Sequence, residues 1–303
     1  MGATLVFDII RGLALLVGLT AGAKSKISDI VFTTWLGLGM FLFPDKVVDF
    51  QVSDKVSSDG LMYFLVRCFG ASQLTMALFT WLTWKSHDTT VKGSILWAKT
   101  LGCVPLMIVM VYGQVSKGKQ FGHGNLWFIL PCFVAIWLYN IYQLCTPLAV
   151  GRREQKGPVS IVCKLYFLMI FVECLQAMAF PSTMLYFMNT SSQSQFMAQH
   201  FVRVCAASDF AFVFLAWYAP CFLRDEDKKL FFISQLAGAG LEVLSLLTAC
   251  FVDHVIEVSQ LYWAFLFMLP LLLPAVGLVL IIQKERAKTA EFAYSYNTRS
   301  KSE

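Results

Sequence analysis

The sequence has few charged side chains and lacks the motifs on which most enzymes depend. Only 14% of its residues are charged, against about a quarter in soluble domains, while 57% are hydrophobic. The mean hydropathy is +0.64. No G-x-S-x-G, phosphate-binding loop or dinucleotide fingerprint occurs, and the four histidines form no H-x-x-x-H or H-E-x-x-H pair. These absences exclude an ordinary soluble domain and leave no recognisable nucleophile or metal-ligand set.

Cysteine and basic residues exclude further classes. The nine cysteines form no C-x-x-C pair and fall within or beside apolar runs, so we expect packing residues and no disulfide framework. Basic residues are confined to the ends of the apolar runs, which gives no support to nucleic-acid binding. We therefore predict no cofactor, no metal and no nucleic-acid partner.

What the chain does have is apolar runs long enough to cross a membrane. A hydrocarbon core roughly 30 Å thick takes about 20 helical residues. Seven such runs lie at 62–84, 93–113, 125–146, 160–180, 199–223, 230–252 and 260–283, with a shorter one at 30–44 and one that carries two charges at 4–22. The sequence therefore predicts an all-α, multi-pass transmembrane helical bundle of eight or nine spans.

The run at 4–22 is open to two further interpretations. It could be a signal peptide with a small-residue cleavage site, or a helix lying on the cytoplasmic surface. Cleavage would leave Lys24 and Lys26 on the outer side and would place the basic C-terminal tail there too. We therefore favour an uncleaved first helix with a short outer N-terminus.

Positive charge alternates from loop to loop, which predicts the orientation. One set of loops holds 15 Lys and Arg: 22–29, 85–92, 147–159, 224–229 and 284–303. The other set holds four: 45–60, 114–124, 181–198 and 253–260. By the positive-inside rule the first set is cytoplasmic, and with it the C-terminus of an integral membrane protein. Asn189 heads a sequon in an outer loop and is a glycosylation candidate. Plasma membrane and endomembrane are not distinguished.

One stretch of the sequence occurs twice. "FLVRCFGASQLTMALFTW" at 64–81 returns as "HFVRVCAASDFAFVFLAW" at 200–217, displaced by 136 positions. The pair Phe43-Pro44 returns as Phe180-Pro181 after 137 positions. The displacement is the same apart from one residue of slippage between Pro44 and Arg67, which indicates an internal duplication.

The duplication predicts two four-helix units. Four crossings return the chain to its starting side, so the two units have the same orientation, which makes them parallel repeats. The predicted organisation is an N-terminal apolar helix (1–25), a first unit (26–146), a basic cytoplasmic linker (147–159), a second unit (160–283) and a cytoplasmic tail (284–303). Ligand sites in such proteins form where the halves meet.

Each half resembles the DoxX-like group of small four-helix membrane proteins. The resemblance rests on Phe43-Pro44 at the first outer turn, on Arg67 followed by Gly70, and on their second-unit partners. It implies a four-helix unit that works with redox enzymes or assists the assembly of membrane proteins. The tandem arrangement departs from the single unit common in that group, and Ala206 stands where the first unit has Gly70.

Five charged residues inside the predicted spans are the candidate site residues. Arg67 and Arg203 lie near outer helix ends beside small residues, where they could pair with loop groups or bind an anionic head group. Glu173, Asp209 and Glu242 fall near the midpoints of three spans, where a charge costs about 2.5–3.5 kcal/mol. If they face one cavity they could share protons or coordinate a cation. Otherwise they are hydrogen-bonded packing residues on separate interfaces.

The sequence favours a non-enzymatic membrane protein. We expect it to bind a lipid-like or small amphipathic ligand, or a membrane-protein partner, between its two halves. The alternative is a proton- or cation-coupled transporter that uses the mid-membrane carboxylates. A membrane enzyme acting on a lipid or quinone is a third class.

Overall fold

The protein is described by a computed structural model that covers 26–53, 56, 59–122, 130–145, 154–187, 195–256 and 272–299. The helices of these residues are α1 (Lys26–Leu42), α2 (Pro44–Gln51), α3 (Gly60–Leu82), α4 (Thr89–Lys117), α5 (Leu130–Leu144), α6 (Pro158–Ala179), α7 (Pro181–Phe187), α8 (Gln195–Tyr218), α9 (Asp225–Phe251) and α10 (Leu272–Arg299). The one extended contact among them is an isolated antiparallel bridge between Val52 and Phe121. The all-α prediction is confirmed over this part of the chain.

Five helices are long and apolar enough to cross a membrane: α3, α4, α6, α8 and α9. Helices α1 and α2 make a sixth if they are counted as one span, bent by 96° at the break between them. Within α5, Phe133–Leu144 is apolar but shorter. The predicted span at 4–22 lies outside the described residues, and so does the first half of the one at 260–283.

The two Phe-Pro pairs form the same turn. Phe43 has φ −127° and ψ 51° before α2, and Phe180 has φ −127° and ψ 57° before α7. Proline excludes helical geometry at the residue before it and suits the first helical position, because it lacks an N–H. Each pair therefore ends one long helix and starts a short one.

Helices α3 and α8 form the centre of the bundle. They pack against each other, α3 also packs on α1 and α9, and α8 also packs on α6 and α4. Helix α5 lies against α4, and α10 lies against α9 and α6. Among the described residues, α1 and α5 make little contact with each other. We call the contacts of α4 with α8 and of α9 with α3 the crossed contacts. They join the described helices of residues 26–145 to those of residues 158–299.

Polar contacts between the described segments occur at two ends of the bundle. At one end Arg67 pairs with Asp253 of the turn after α9. At the other end, which we call the basic end, the Ser86 hydroxyl donates to Asp227 over 3.0 Å, and the Leu223 amide donates to Asp88 over 2.8 Å. The segments 85–92 and 224–229, which the charge pattern assigned to the same side, therefore contact each other.

Candidate functional site

The repeated stretches meet at the contact between α3 and α8. The Ser72 hydroxyl donates a hydrogen bond of 2.6 Å to Asp209, and the Gln73 amide donates one of 2.9 Å to the Ser208 hydroxyl. Ser208 is the residue 136 positions after Ser72, and Asp209 is 136 positions after Gln73. The two bonds are therefore reciprocal, as in the contact between two subunits related by a twofold axis.

A glycine lies at each of the two crossed contacts and lets the helices approach closely. A Cβ at Gly102 of α4 would lie 2.8 Å from the Cβ of Ala211, and a Cβ at Gly238 of α9 would lie 2.2 Å from Oγ1 of Thr75. Gly238 follows Gly102 by 136 positions, and Ala211 follows Thr75 by the same number. Small residues that let helices approach are typical of membrane helix interfaces.

Glu173, Asp209 and Glu242 line a single cavity of about 90 Å³. They come from α6, α8 and α9, and α3 supplies the opposite wall with Ser72 and Thr75. The structure thus brings the three mid-helix carboxyl groups together, which was the condition for a joint role. We call this space, with its further lining by Tyr166, Ile170, Phe212 and Gln235, the acidic cavity.

Gln235 gives the acidic cavity an unused polar group. Its side chain is 4% exposed and lines the cavity. The Tyr166 hydroxyl donates to its amide oxygen over 2.8 Å, while the amide nitrogen has no hydrogen-bond partner among the described residues. Buried polar groups are nearly always hydrogen-bonded, so an orphaned one at a cavity indicates something that the cavity holds.

A second cavity, of about 110 Å³, adjoins the acidic cavity, because Ser72 and Phe212 line both. Helices α1, α3, α4, α5 and α8 surround it, and its lining includes Thr33, Leu36, Gln73, Lys99, Leu106, Phe133 and Asn140. It is partly open to the surface. Because most of its lining is hydrophobic, we call it the apolar cavity.

Two polar side chains distinguish the apolar cavity. Lys99 lines it from α4. Asn140 lines it from α5, is 2% exposed, and its amide nitrogen has no hydrogen-bond partner among the described residues. This cavity therefore combines an apolar surface with one positive charge and one orphaned amide.

The two cavities are built from corresponding positions. Leu36 and Leu106 of the apolar cavity correspond to Glu173 and Glu242 of the acidic cavity, at displacements of 137 and 136. Further pairs are Thr33 with Ile170, Gln73 with Asp209, Lys99 with Gln235, and Gly102 with Gly238. The same framework thus encloses two spaces of different polarity.

The remaining candidate residues lie elsewhere. Neither Arg67 nor Arg203 lines either cavity. Arg67 pairs with Asp253, whereas the Arg203 Nε donates to the Met178 carbonyl over 3.1 Å and its guanidinium lies 5.3 Å from the centre of a tyrosine ring. Both therefore have structural partners at the end opposite the basic end.

Two further predictions concern a glycosylation residue and metal binding. The candidate glycosylation residue Asn189 lies outside the described residues. Over the part of the chain that the structure describes, no three or more His, Cys, Asp or Glu side chains are arranged to hold a metal ion. The carboxyl groups of the acidic cavity therefore do not form a ready-made metal site.

Sequence reasoning missed four cavity residues: Tyr166, Gln235, Lys99 and Asn140. A signal existed for two of them, since Gln235, Gly238 and Glu242 follow one another at helical spacing and lie on one face of α9. Lys99 precedes Gln235 by 136 positions and lies on the corresponding face of α4. Tyr166 and Asn140 have no such signal.

Over the residues that the structure describes, these features define a helical protein with long apolar helices and with the acidic and apolar cavities between them. The chain belongs to the family described as a domain of unknown function, DUF8292, whose sequence profile matches residues 27–279. That match covers both predicted four-helix units almost completely. No curated protein and no solved structure matches the chain.

Proposed function

We propose that this chain is a multi-pass membrane protein of two parallel four-helix units that binds an amphipathic, lipid-like ligand between its halves. The apolar helices and the alternating charge of the loops support the membrane location. The basic end, where Lys284 and Lys288 contact Asp225, supports a cytoplasmic C-terminus.

The two-unit architecture has support from matched geometry. The Phe-Pro turns have nearly the same backbone angles, and the hydrogen bonds between α3 and α8 are reciprocal. Both are expected if duplicated units associate about a pseudo-twofold axis along the membrane normal. The resemblance of each unit to DoxX-like proteins, and with it a membrane-protein partner, stays a prediction.

The observation that carries the ligand proposal is the apolar cavity with Lys99 and the orphaned Asn140 amide. A positive charge and an amide donor suit an anionic head group, such as a carboxylate. The hydrophobic lining suits the first carbons of a chain. We therefore expect an amphiphile whose acidic head lies between Lys99 and Asn140.

The size of the cavity indicates how such a ligand would lie. A cavity of about 150 Å³ holds one benzene molecule, so about 110 Å³ takes a head group and only a few carbons. The rest of the chain must pass outward. Because α1 and α5 both line the cavity but make little contact, the gap between them offers a route to the surrounding lipid.

The test is native mass spectrometry of the purified chain in mild detergent, with laurate and the neutral dodecanol as probes. We expect laurate to bind and dodecanol to bind at least about tenfold more weakly, which corresponds to 1.4 kcal/mol. Lys99→Met should remove this preference, whereas the matched variant Lys164→Met should keep it, because Lys164 is exposed and pairs with Glu154. Equal retention of both probes by the unmodified protein would refute the proposal.

A second candidate function is proton- or cation-coupled transport. The specific observation in its favour is that Glu173, Asp209 and Glu242 line one cavity. Proteoliposome flux measurements test it. Uptake that is coupled to a cation gradient and abolished by Glu242→Gln would support the candidate, and uptake unchanged by neutralising all three carboxyl groups would remove it.

A further inference from the structure

The acidic cavity contains three carboxyl groups and no basic partner for them among the described residues. Asp209 accepts a hydrogen bond from Ser72, but no basic side chain of the described residues forms an ion pair with Glu173, Asp209 or Glu242. Carboxylates removed from water are costly unless protons or a cation neutralise them. The cavity therefore needs a positively charged occupant or bound protons.

Gln235 provides an observation independent of the acidic cluster. One polar atom of its buried amide is unpartnered, although Tyr166 holds the other. The Tyr166 hydroxyl can donate or accept, so a half-turn of the amide would present its oxygen to the cavity and keep the bond to tyrosine. Together with Thr75, this side chain adds neutral oxygen acceptors beside the carboxyl groups.

We propose that the acidic cavity binds a small primary ammonium ion, held by Glu173, Asp209 and Glu242 and by the Gln235 amide oxygen. This inference rests on the acidic cavity of the second candidate function but does not require transport. An ammonium group has three N–H donors and no acceptor, so it matches a wall made of carboxylate, amide and hydroxyl oxygens.

Three properties of the cavity favour an organic ammonium ion over a metal ion. The carboxyl groups are not arranged to hold a metal among the described residues, whereas hydrogen bonds from an ammonium group reach about 2.8 Å. The rings of Phe212 and Tyr166 line the cavity, and aromatic faces attract ammonium ions. Ile170 gives the short carbon chain an apolar contact.

The volume sets the size of the ligand. Since about 150 Å³ holds the six carbons of benzene, about 90 Å³ holds roughly four non-hydrogen atoms. Propylammonium has this size. Longer or branched amines should bind more weakly unless the helices move apart.

The experiment measures binding to the full chain in mild detergent by saturation-transfer NMR and by the shift of its thermal unfolding midpoint. The probes are propylammonium, the neutral and similarly shaped 1-propanol, its one-carbon-longer homologue 1-butanol, and sodium ions. All are compared at equal ionic strength. We expect saturable binding of propylammonium only. Equal effects of the neutral alcohols, or stronger stabilisation by sodium than by propylammonium, would overturn the proposal. This comparison needs no variant and so does not depend on variant folding.

Variants then locate the site. Glu242→Gln and Gln235→Leu should each weaken propylammonium binding at least about tenfold, the equivalent of 1.4 kcal/mol. The matched control is Glu226→Gln on the same helix, where the exposed carboxylate contacts Arg224 outside the cavity. Equal affinity in Glu226→Gln and Glu242→Gln would contradict the assignment.

The outcomes separate this inference from the proposed functions. Lys99→Met should alter laurate binding and leave propylammonium binding intact, since Lys99 lines the other cavity. Propylammonium binding without flux in proteoliposomes would support the ammonium site and remove transport. Flux without propylammonium binding would remove the ammonium site.

Discussion

Adding a methyl group at Gly238 tests the crossed contact between α9 and α3. Its Cβ would lie 2.2 Å from Oγ1 and 2.9 Å from Cγ2 of Thr75. Thr75 cannot rotate away freely, because it is 4% exposed and its hydroxyl donates to the Ala71 carbonyl over 2.8 Å. Gly238→Ala should therefore push the two helices apart.

The magnitude follows from a comparison with Gly240 on the same helix. A Cβ at Gly240 meets nothing within 4 Å, so both alanine variants gain the same helix propensity of about 1 kcal/mol and only Gly238→Ala is overpacked. Overpacking costs typically 1–3 kcal/mol. We expect Gly238→Ala to be less stable than Gly240→Ala by about 1–3 kcal/mol.

The equivalent change at Gly102 should cost at least as much. Its Cβ would meet the Cβ of Ala211 at 2.8 Å and the backbone nitrogen at 2.9 Å, and backbone atoms have no rotamer to change. Thr75→Ala should rescue Gly238→Ala by removing the clashing hydroxyl and methyl groups. No single substitution at Ala211 can rescue Gly102→Ala.

The assay is unfolding in mild detergent by titration with sodium dodecyl sulfate, followed by far-ultraviolet circular dichroism. Equal stability of Gly238→Ala and Gly240→Ala would refute the close helix contact. Failure of Thr75→Ala to restore the overpacked variant would show that the cost arises elsewhere.

Two further predictions concern ion pairs at the ends of the bundle. Arg67→Met leaves the Asp253 carboxylate, 16% exposed, without its partner, so it should destabilise the chain by about 2–4 kcal/mol, and adding Asp253→Asn should recover part of the loss in the same assay. Hydrogen bonds from Lys164 and then Ser160 lower the pKa of Glu154, so its stabilising contribution is present above its unfolded-state pKa and is lost as the pH falls through the lower folded value. Lys164→Met should raise the Glu154 midpoint in a carbon NMR titration, and an unchanged midpoint would contradict the pair.

The all-helical class that the sequence predicted is confirmed over the described residues, whereas the predicted eight or nine spans stay a prediction and the packing partners of the helices were predicted only in part. Hydropathy locates a span without specifying its rotation or its neighbours. The placement of Glu173, Asp209 and Glu242 near helix midpoints was therefore predictable, but their common cavity was not. Tyr166 and Gln235 were missed because an uncharged polar side chain costs much less free energy in a membrane span than a charged one. Such a residue in an apolar run therefore does not by itself indicate a site.

Arg67 and Arg203 occupy corresponding positions in the sequence but contact different groups. Arg67 finds Asp253, but the position 136 residues before Asp253 is Lys117, which cannot pair with Arg203. Arg203 instead uses the Met178 carbonyl. The same residue at corresponding positions thus has different partners, and only the three-dimensional structure reveals this.

The divergence of the two cavities is concentrated in side chains that leave the packing intact. Gly102 and Gly238 keep the crossed helices close in both halves, while Lys99 is replaced by Gln235 and Leu106 by Glu242. These positions follow one another along a single helix face, so changing them alters the charge of a cavity without altering the glycine contact. Corresponding stretches of the chain can thereby share one way of packing while the cavities beside them differ in charge. The laurate and propylammonium experiments test this separation directly, because each proposed site should respond to its own variant alone.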